Sequence, residues 1–477
     1  MSTGIVWFRQ DLRIADNPAL VAACTECDSV VCLFIDDPAS QTLSQIGAAS
    51  RVWLHHSLKS LSDNLEKRGA KLVLAQGDSE SVIGQAAKHF GATRLFWNRC
   101  YDPISIRRDK KIKKNYGDLH PESFNALLNA EPWDTVKTDG TPYRVFTPFW
   151  RMRLKSLPGR KPLGAPRAIA CAANAKKKSA FKPLQLDTLE LLPKIDWHVD
   201  MMSHWRVGEK SAMASLKRFL KADVNDYTDA RNIPSVKGTS RMSPHLHFGE
   251  ISPRQIMHVL CEGADDLSDL SAGAETYAKE VIWREFAYSL LFHFPHTTKK
   301  PLDKRFDNFP WAKRYKKPLD AWQRGMTGVP IVDAGMRELY ATGWMHNRVR
   351  MIVASYLIKN LLIPWQQGEQ WFRDTLVDAD VASNAMGWQW AAGSGADAAP
   401  YFRIFNPVLQ GEKFDKAGDY VRLWVPELSD VDNKYIHKPW ELSDIEKMSL
   451  DYPEPLVDLK TSRQRALAAF DQIKRPE

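Results

Sequence analysis

The chain has 477 residues, with 66 Lys and Arg against 57 Asp and Glu, so its formal net charge is +9. Hydrophobic residues make up 44% and charged residues 26%, which excludes disordered and fibrous classes and fits a globular protein of about two to four domains. The basic balance permits a polyanionic partner without proving one. Six Cys in so long a chain exclude a disulfide framework. No stretch approaches the roughly 20 apolar residues that span a membrane, and the start has no signal-peptide layout. These features predict a soluble protein of a reducing, cytoplasmic compartment. Cys24 and Cys27 form a lone C-x-x-C in a stretch that reads as helix, so it is read as accidental, with no metal site expected. Seventeen Trp against thirteen Tyr leaves three readings open: core packing, stacking or electron transfer.

Residues 1–130 alternate short apolar runs with helical periods. Strands are expected at 5–8, 29–35, 71–76 and 94–97, and helices at 17–27, 51–68 and 79–90. This alternation predicts a doubly wound parallel sheet with covering helices. Ligands of such sheets sit beyond the carboxyl ends of the strands, where Arg9, Asp11, Arg13 and the run Trp97-Asn98-Arg99 lie. Neither familiar phosphate-cradling glycine loop occurs there. Residues 131–205 carry Pro132, Pro142, Pro148, Pro158, Pro162 and Pro166, which argue against long regular elements, and the basic run Lys176-Lys177-Lys178. They read as an interdomain connector. Residues 206–477 read as an all-helical domain, with helices expected at 208–220, 252–261, 274–292, 330–342 and 345–362.

Four segments in the helical domain stand out. In 346–351, Asn347 and Met351 share a helix face, with Arg348 about 100° around from Asn347 and Arg350 two steps further on; plain solvent exposure is the alternative. In 279–286, Glu280 lies three and four residues from Trp283 and Arg284. A carboxyl beside an indole can serve as a proton donor, whereas a surface Glu–Arg pair would contribute little. The run 378–390 places Asp378, Asp380, Asn384, Trp388 and Trp390 among small residues, hard to explain as packing alone and short of ligands for a metal. In 238–244, Thr239, Ser240, Arg241 and Ser243 suit either an anion site or simple helix capping. His245 and His247 without further ligands do not support zinc.

Together these segments resemble the photolyase/cryptochrome flavoproteins over nearly the whole chain. The most specific parts are GTSRMSPHLHFGEISPRQ (238–255), WMHNRVRM (344–351), DADVASNAMGWQW (378–390) and DAAPYFRIFNPVLQGEKFD (397–415). The resemblance implies FAD held in the helical domain rather than on the sheet. The sequence looks most like the bacterial class I type that repairs cyclobutane pyrimidine dimers in DNA. Asn384 matches repair enzymes where plant cryptochromes carry Asp, and Asn347 and Met351 stand where (6-4)-repairing relatives use His-based chemistry. Ala385 and Met386 depart from relatives that carry Asn and Gly. No long signalling tail is expected.

The resemblance also implies residue roles. Trp283 and Trp390 would flank a flipped-out dimer, with Glu280, Asn347 and Met351 contacting it and Asn384 facing flavin N5. FAD would be held by Tyr227, Thr239, Ser240, Arg241, Met242, Ser243, Arg350, Asp378 and Asp380, with Asp378 pairing to Arg350. Arg231, Arg284, Arg348 and Arg403 would grip DNA phosphates. Trp388, Trp365 and Trp311 match the family's chain for photoreducing FAD. The α/β domain would hold an antenna: methenyltetrahydrofolate first, 8-hydroxydeazaflavin second, or an empty pocket. Arg9, Asp11, Trp97, Asn98, Arg99, Tyr101 and Asp102 are candidates for it. A monomer acting on DNA that contains pyrimidine dimers is expected, with no membrane partner and nucleoid association if the source is bacterial. The competing readings are a cryptochrome-like blue-light photoreceptor, a (6-4) photolyase, a dark NAD(P)H-dependent flavoenzyme and a plain basic DNA-binding module.

Overall fold

The computed structural model describes residues 2–38, 46–172, 181–263, 269–397 and 402–474. Lys176-Lys177-Lys178 and residues 398–401 of the fourth motif lie outside the described residues.

Five strands, β1 (Thr3–Phe8), β2 (Ser29–Asp36), β3 (Leu72–Gln76), β4 (Arg94–Asn98) and β5 (Pro121–Phe124), form one sheet in the order β3-β2-β1-β4-β5, every pair parallel. Central β1 reads TGIVWF and is buried throughout, as a strand covered by helices on both faces must be. The register sets Trp7 beside Leu33 on one side and Trp97 on the other. Trp7 and Trp97 meet edge to face at 6.2 Å. The intervening helices are α1 (Pro18–Glu26), α2 (Ala48–Glu66), α3 (Ser79–Phe90) and α4 (Pro103–Asn115). Each is bounded by recognisable chemistry. Asn17 caps α1 through Leu20 N at 3.1 Å, and Asp78 caps α3, which ends on Gly91 at φ +65°.

The expected doubly wound sheet domain and helical C-terminal domain are both present. Two sheet elements escape the sequence pattern. β5 reads PESF, a half-buried edge strand too short to show a period. α4 follows the cap Asp102 and opens on Pro103, a first-turn proline. The connector is less irregular than its prolines suggest: α5 (Phe146–Leu154) lies within it, and Cys171 and Leu184 bridge to Val30 of β2 and Leu74 of β3.

The chain divides into two compact units, one of residues 1–225, 240–295 and 377–381, the other of 226–239, 296–376 and 382–477. The first contains the sheet and the 22-residue helix Ala272–His293, capped by Ser271. The second is helical. Its helix Pro330–Thr342 starts with proline and stops at Gly343, φ +67°, the boundaries read from the sequence. The single helix expected at 345–362 is instead Asn347–Ser355 continued by a π-helical turn, Tyr356–Asn360. Leu361 N reaches back five residues to Tyr356 O at 3.1 Å. Such turns mark sites where one side chain is redirected; here Lys359 is turned inward and is 1% exposed. Among the described residues no helix is long and apolar enough to cross a membrane.

Candidate active site

In the first unit, Asp380 is 6% exposed and accepts a hydrogen bond from the Tyr288 hydroxyl. Burial alone would raise its carboxyl. His247, Arg284 and Tyr288 outweigh that and hold it well below the usual carboxylate range. Tyr288 is itself driven well above the ordinary phenol by burial and by Asp380, so the shared proton stays on the phenol. Asp380 is therefore a fixed, ionised acceptor. Asp378, 7% exposed, gives its carbonyl to Asp380 N at 2.6 Å.

On Ala272–His293, Glu280, Trp283 and Arg284 are all half-buried. Trp283 is stacked on Phe146 at 3.7 Å and 9°, which fixes the ring. Arg284 does not stand free toward solvent. Its guanidinium donates to Leu127 O at 2.8 Å and Leu246 O at 3.4 Å and lies 4.8 Å from the Tyr288 ring. Those contacts make it a brace for Asp380 as much as a candidate for DNA.

Arg241, at φ +51°, occupies the left-handed region that a residue with a Cβ adopts at some cost. It lies 4.9 Å over the Trp205 ring. The helix it precedes, Ser243–His247, is capped by Met242 without a side-chain bond, so Thr239 and Ser240 are not capping residues. Ser240 accepts from Met242 N at 3.4 Å. The Met242 side chain belongs to the core, 3% exposed, and only its backbone is available to a ligand.

Beyond the carboxyl ends of β1 and β2 the first unit has a solvent-open cleft of about 100 Å³. Arg9 and Arg108 stack over the Trp7 ring at 4.5 and 4.7 Å, and both lie against Asp109, at 2.8 and 3.5 Å. Trp7 Nε1 is buried without a hydrogen-bond partner among the described residues. Arg51, Asp36, Asp37, Cys100 and His247 are among the other lining residues. Of the residues expected to hold an antenna, only Arg9 lines this cleft. Asp11 and Asn98 bond each other at 2.6 Å, Trp97 is core and gives Nε1 to Asp109 at 2.9 Å, Arg99 pairs with Glu131, Tyr101 is buried, and Asp102 caps α4. They build the frame.

In the second unit, Asn384 Nδ2 donates to Glu369 Oε1 at 3.0 Å and Glu369 O at 3.2 Å. Glu369 is also held by Arg373, Nε to Oε1 at 3.2 Å. Burial raises the Glu369 carboxyl against the opposing pull of Arg373 and Asn384. With both amide hydrogens engaged, Asn384 presents its Oδ1 as an acceptor. Neither Glu369 nor His247 was singled out as a functional residue from the sequence.

Asn347 is exposed on Asn347–Ser355, and Met351 is half-buried one turn on. Arg348 donates to Asn232 Oδ1 at 2.6 Å and lies 4.4 Å over the Phe414 ring. Burial and nearby Arg231 both lower its guanidinium, the electrostatics of two like charges that an anion would relieve. Arg231 lies 5.5 Å over buried Tyr227. Arg350 gives Nε to Met345 O at 2.8 Å. Arg403 is exposed. A Cβ on Gly238 would fall 2.6 Å from Ala230 Cβ, so only glycine lets this loop lie where it does.

The tryptophans of the second unit grade in burial. Trp388 and Trp365 are each 2% exposed, and Trp311 is half-exposed. Trp388 meets Phe372 at 4.9 Å and Trp322 at 6.2 Å. Trp311 lies 4.4 Å from Phe309. Trp390, half-buried, lies 6.4 Å from Phe405.

Residues 4–167 match the family described as DNA photolyase, and residues 277–472 the family described as FAD binding domain of DNA photolyase. A deoxyribodipyrimidine photo-lyase of Agrobacterium fabrum is 47% identical over 99% of this chain and 98% of its own length. A structure described as a bacterial class III photolyase from Agrobacterium tumefaciens superposes with TM-score 0.93 at 46% identity, covering 100% of this chain and 98% of its own. A cryptochrome structure from Synechocystis sp. PCC6803 gives TM-score 0.88 at 30% identity, covering 98% and 99%. These similarities do not single out the class I subtype expected from the motifs. With a relative this similar over its full length and two family matches in order along the sequence, the chain is an FAD-binding enzyme of the DNA photolyase family.

Proposed function

We propose that this enzyme repairs cyclobutane pyrimidine dimers in DNA, using light and a reduced FAD. The observation that carries the reading is Asn384. Its amide nitrogen is tied to Glu369, so its oxygen is the end left to meet a flavin. An acceptor there matches a reduced flavin, whose N5 carries hydrogen, and mismatches the oxidised form, whose N5 is an acceptor. The residues present fit the cofactor in other respects. Ionised Asp380 provides an acceptor for a ring N–H, and Arg241, Ser240, Thr239 and Ser243 provide donors for phosphates. Tyr227, Arg350, Asp378 and the Met242 backbone complete the proposed set. When bound and reduced, FAD supplies the photoexcited electron.

The remaining roles belong to the chain. Trp283, braced by Phe146, and Trp390 would stack on the lesion and exclude water. Glu280 would hydrogen-bond a pyrimidine carbonyl, which requires it to carry or share a proton; Asn347 and Met351 would complete the contact. Extruding the lesion costs least where stacking is already damaged. Arg231, Arg284, Arg348 and Arg403 would hold phosphates. Trp388, Trp365 and Trp311, in that order, would carry an electron inward from the surface.

Residues 1–130 would form the antenna domain, 131–205 the connector and 206–477 the catalytic part. The antenna would occupy the cleft beyond β1 and β2, where guanidiniums on an indole face suit a flat anionic heteroaromatic. Methenyltetrahydrofolate and 8-hydroxydeazaflavin share that chemistry, and the absorption spectrum of the extracted chromophore separates them. A monomer acting on cytoplasmic DNA completes the reading.

The test is repair of defined lesions. Blue light should remove cyclobutane dimers from irradiated oligo(dT) when the flavin is reduced, darkness should leave them, and (6-4) lesions should persist. Dimers that survive illumination of fully reduced holoenzyme would overturn the proposal in favour of a photoreceptor.

A further inference from the structure

A second cavity in the first unit, of about 240 Å³, is lined by the end of α2, the loop after β1, the connector and the helices Glu209–Ala222 and Pro253–Leu260. Two amides on its wall have hydrogen-bonding groups to spare. Asn64 is 9% exposed, and its side chain bonds to nothing among the described residues. Gln255 is 8% exposed. Its Oε1 accepts from Ser252 N at 2.9 Å in the capping box that starts its helix, so the end left over is the amide nitrogen, a donor. Both residues line the cavity, and their unbonded polar atoms remain accessible. Buried polar groups in folded proteins nearly always find partners, and two without one on a single wall call for an occupant. The charges nearby favour an anion. Arg68 gives Nε to Pro166 O at 3.0 Å and leaves both terminal nitrogens without a partner among the described residues, as exposed Lys210 leaves its ammonium. The two carboxylates of the lining are already engaged. Glu209 accepts from Ile14 N at 2.9 Å and Ala15 N at 2.8 Å. Glu250, 0% exposed, accepts from Trp53 Nε1 and Gly208 N, each at 3.0 Å, and bonds His245. The groups that remain are donors and cations, beside the apolar Ile14, Met213 and Ile251.

The geometry points to a binding site for a small organic monocarboxylate, separate from the cleft beyond β1 and β2. The ligand carboxylate accepts from Gln255 Nε2, from the Asn64 amide and from the terminal nitrogens of Arg68, and bonds of this charge-assisted kind are the strong ones. Lys210 adds positive charge, and the hydrocarbon part lies against Ile14, Met213 and Ile251. The cavity is just smaller than the roughly 300–1,000 Å³ that drug-sized ligands fill, so the occupant is smaller than those. Glu209 and Glu250 set a second limit. Like charges brought together are penalised, and two carboxylates in the wall therefore discriminate against a multiply charged ion. The walls come from separate stretches of chain, and a ligand that binds only when they are assembled stabilises the folded state by mass action.

The experiment is titration of purified holoenzyme with four probes, benzoate, butyrate, benzamide and inorganic phosphate, followed by calorimetry and by the midpoint of thermal unfolding. Benzoate or butyrate should bind one to one and raise the midpoint. Benzamide, which has the shape of benzoate without its charge, and phosphate should each bind at least tenfold more weakly. Gln255→Glu keeps the capping box, which Glu serves as well as Gln, but replaces the donor with a charged acceptor, so Q255E should weaken carboxylate binding at least tenfold. Lys210→Gln, at an exposed position, should weaken it several-fold and reduce its salt dependence. The proposal is overturned if neither carboxylate binds, which would leave the cavity to water alone, if benzamide binds as tightly as benzoate, or if Q255E keeps the parent affinity. Should Q255E fail to fold, parent affinity in K210Q overturns it.

Discussion

Gly368 touches the ring of Trp388: a Cβ added at residue 368 would fall 2.1 Å from Trp388 Cη2. The helix that begins with Trp365 is thereby pressed against Trp388, and the two buried indoles belong to elements in direct contact. Electron transfer between them needs that approach. Trp388→Phe should block blue-light reduction of oxidised FAD, read as loss of flavin bleaching under anaerobic illumination with an external reductant. Repair by chemically reduced enzyme should persist. Normal photoreduction in the variant would remove Trp388 from the route. Gly368→Ala should cost about 1–3 kcal/mol through overpacking, measurable by denaturant unfolding.

The second prediction concerns Glu369, which orients Asn384 by accepting both amide contacts. Glu369→Gln can present an amide nitrogen in place of the accepting oxygen, so Asn384 is no longer pinned with Oδ1 outward. Reduced FAD should then reoxidise faster in air, with the fold preserved because Gln has the same shape. Asn384→Asp should have the larger effect, since it places a second carboxyl beside Glu369. Stopped-flow absorbance of reoxidation checks both, and an unchanged rate in E369Q would separate Glu369 from flavin control.

Much of the fold is legible in the sequence because its signals are local. Pro330 and Gly343 bracket one helix to the residue, and β1, β2 and β4 are apolar runs that no helix of that length could replace. The π-helical turn is not legible. Apolar spacing continues through Leu357 and Ile358, and no proline interrupts before Pro364. At the candidate site, resemblance supplied names for residues but not for the partners that hold them. His247 meets Asp380, and Glu369 meets Asn384, only through tertiary contact. Conversely, Trp97, Asn98 and Asp11 carry ligand-like chemistry at the right end of the sheet, but that chemistry is satisfied internally.

The arginines divide by exposure, which gives a third prediction. Arg403 is exposed, whereas Arg284 holds two backbone carbonyls. Arg403→Ala should weaken DNA binding uniformly across sequences and lower the salt slope by about one. Arg284→Ala should leave the slope nearly unchanged and instead raise the Asp380 carboxyl by removing a neighbouring cation. Fluorescence-anisotropy titrations over a range of salt distinguish the two, and an equal loss of slope in both variants would contradict the division.

Lys359 gives the last prediction, and it concerns pH. Lys359 is 1% exposed, and its amino group donates to Ala392 O at 2.6 Å and lies 3.1 Å over the Phe402 ring. Burial drives it well below the ordinary lysine value, so the folded chain releases a proton that the unfolded chain keeps up to its normal pKa near 10.5. Between the lowered folded value and the unfolded one, the unfolded state binds more protons, and stability therefore rises with pH across that window. The steepest contribution from one proton is about 1.4 kcal/mol per pH unit. Lys359→Met keeps the length of the side chain, removes the titration, and should flatten this dependence while raising stability near neutrality, because no amine need be neutralised on folding. Urea unfolding at several pH values from neutral to alkaline measures it. A parent protein whose stability is flat over that range, or a variant that keeps the full slope, would place the titration elsewhere.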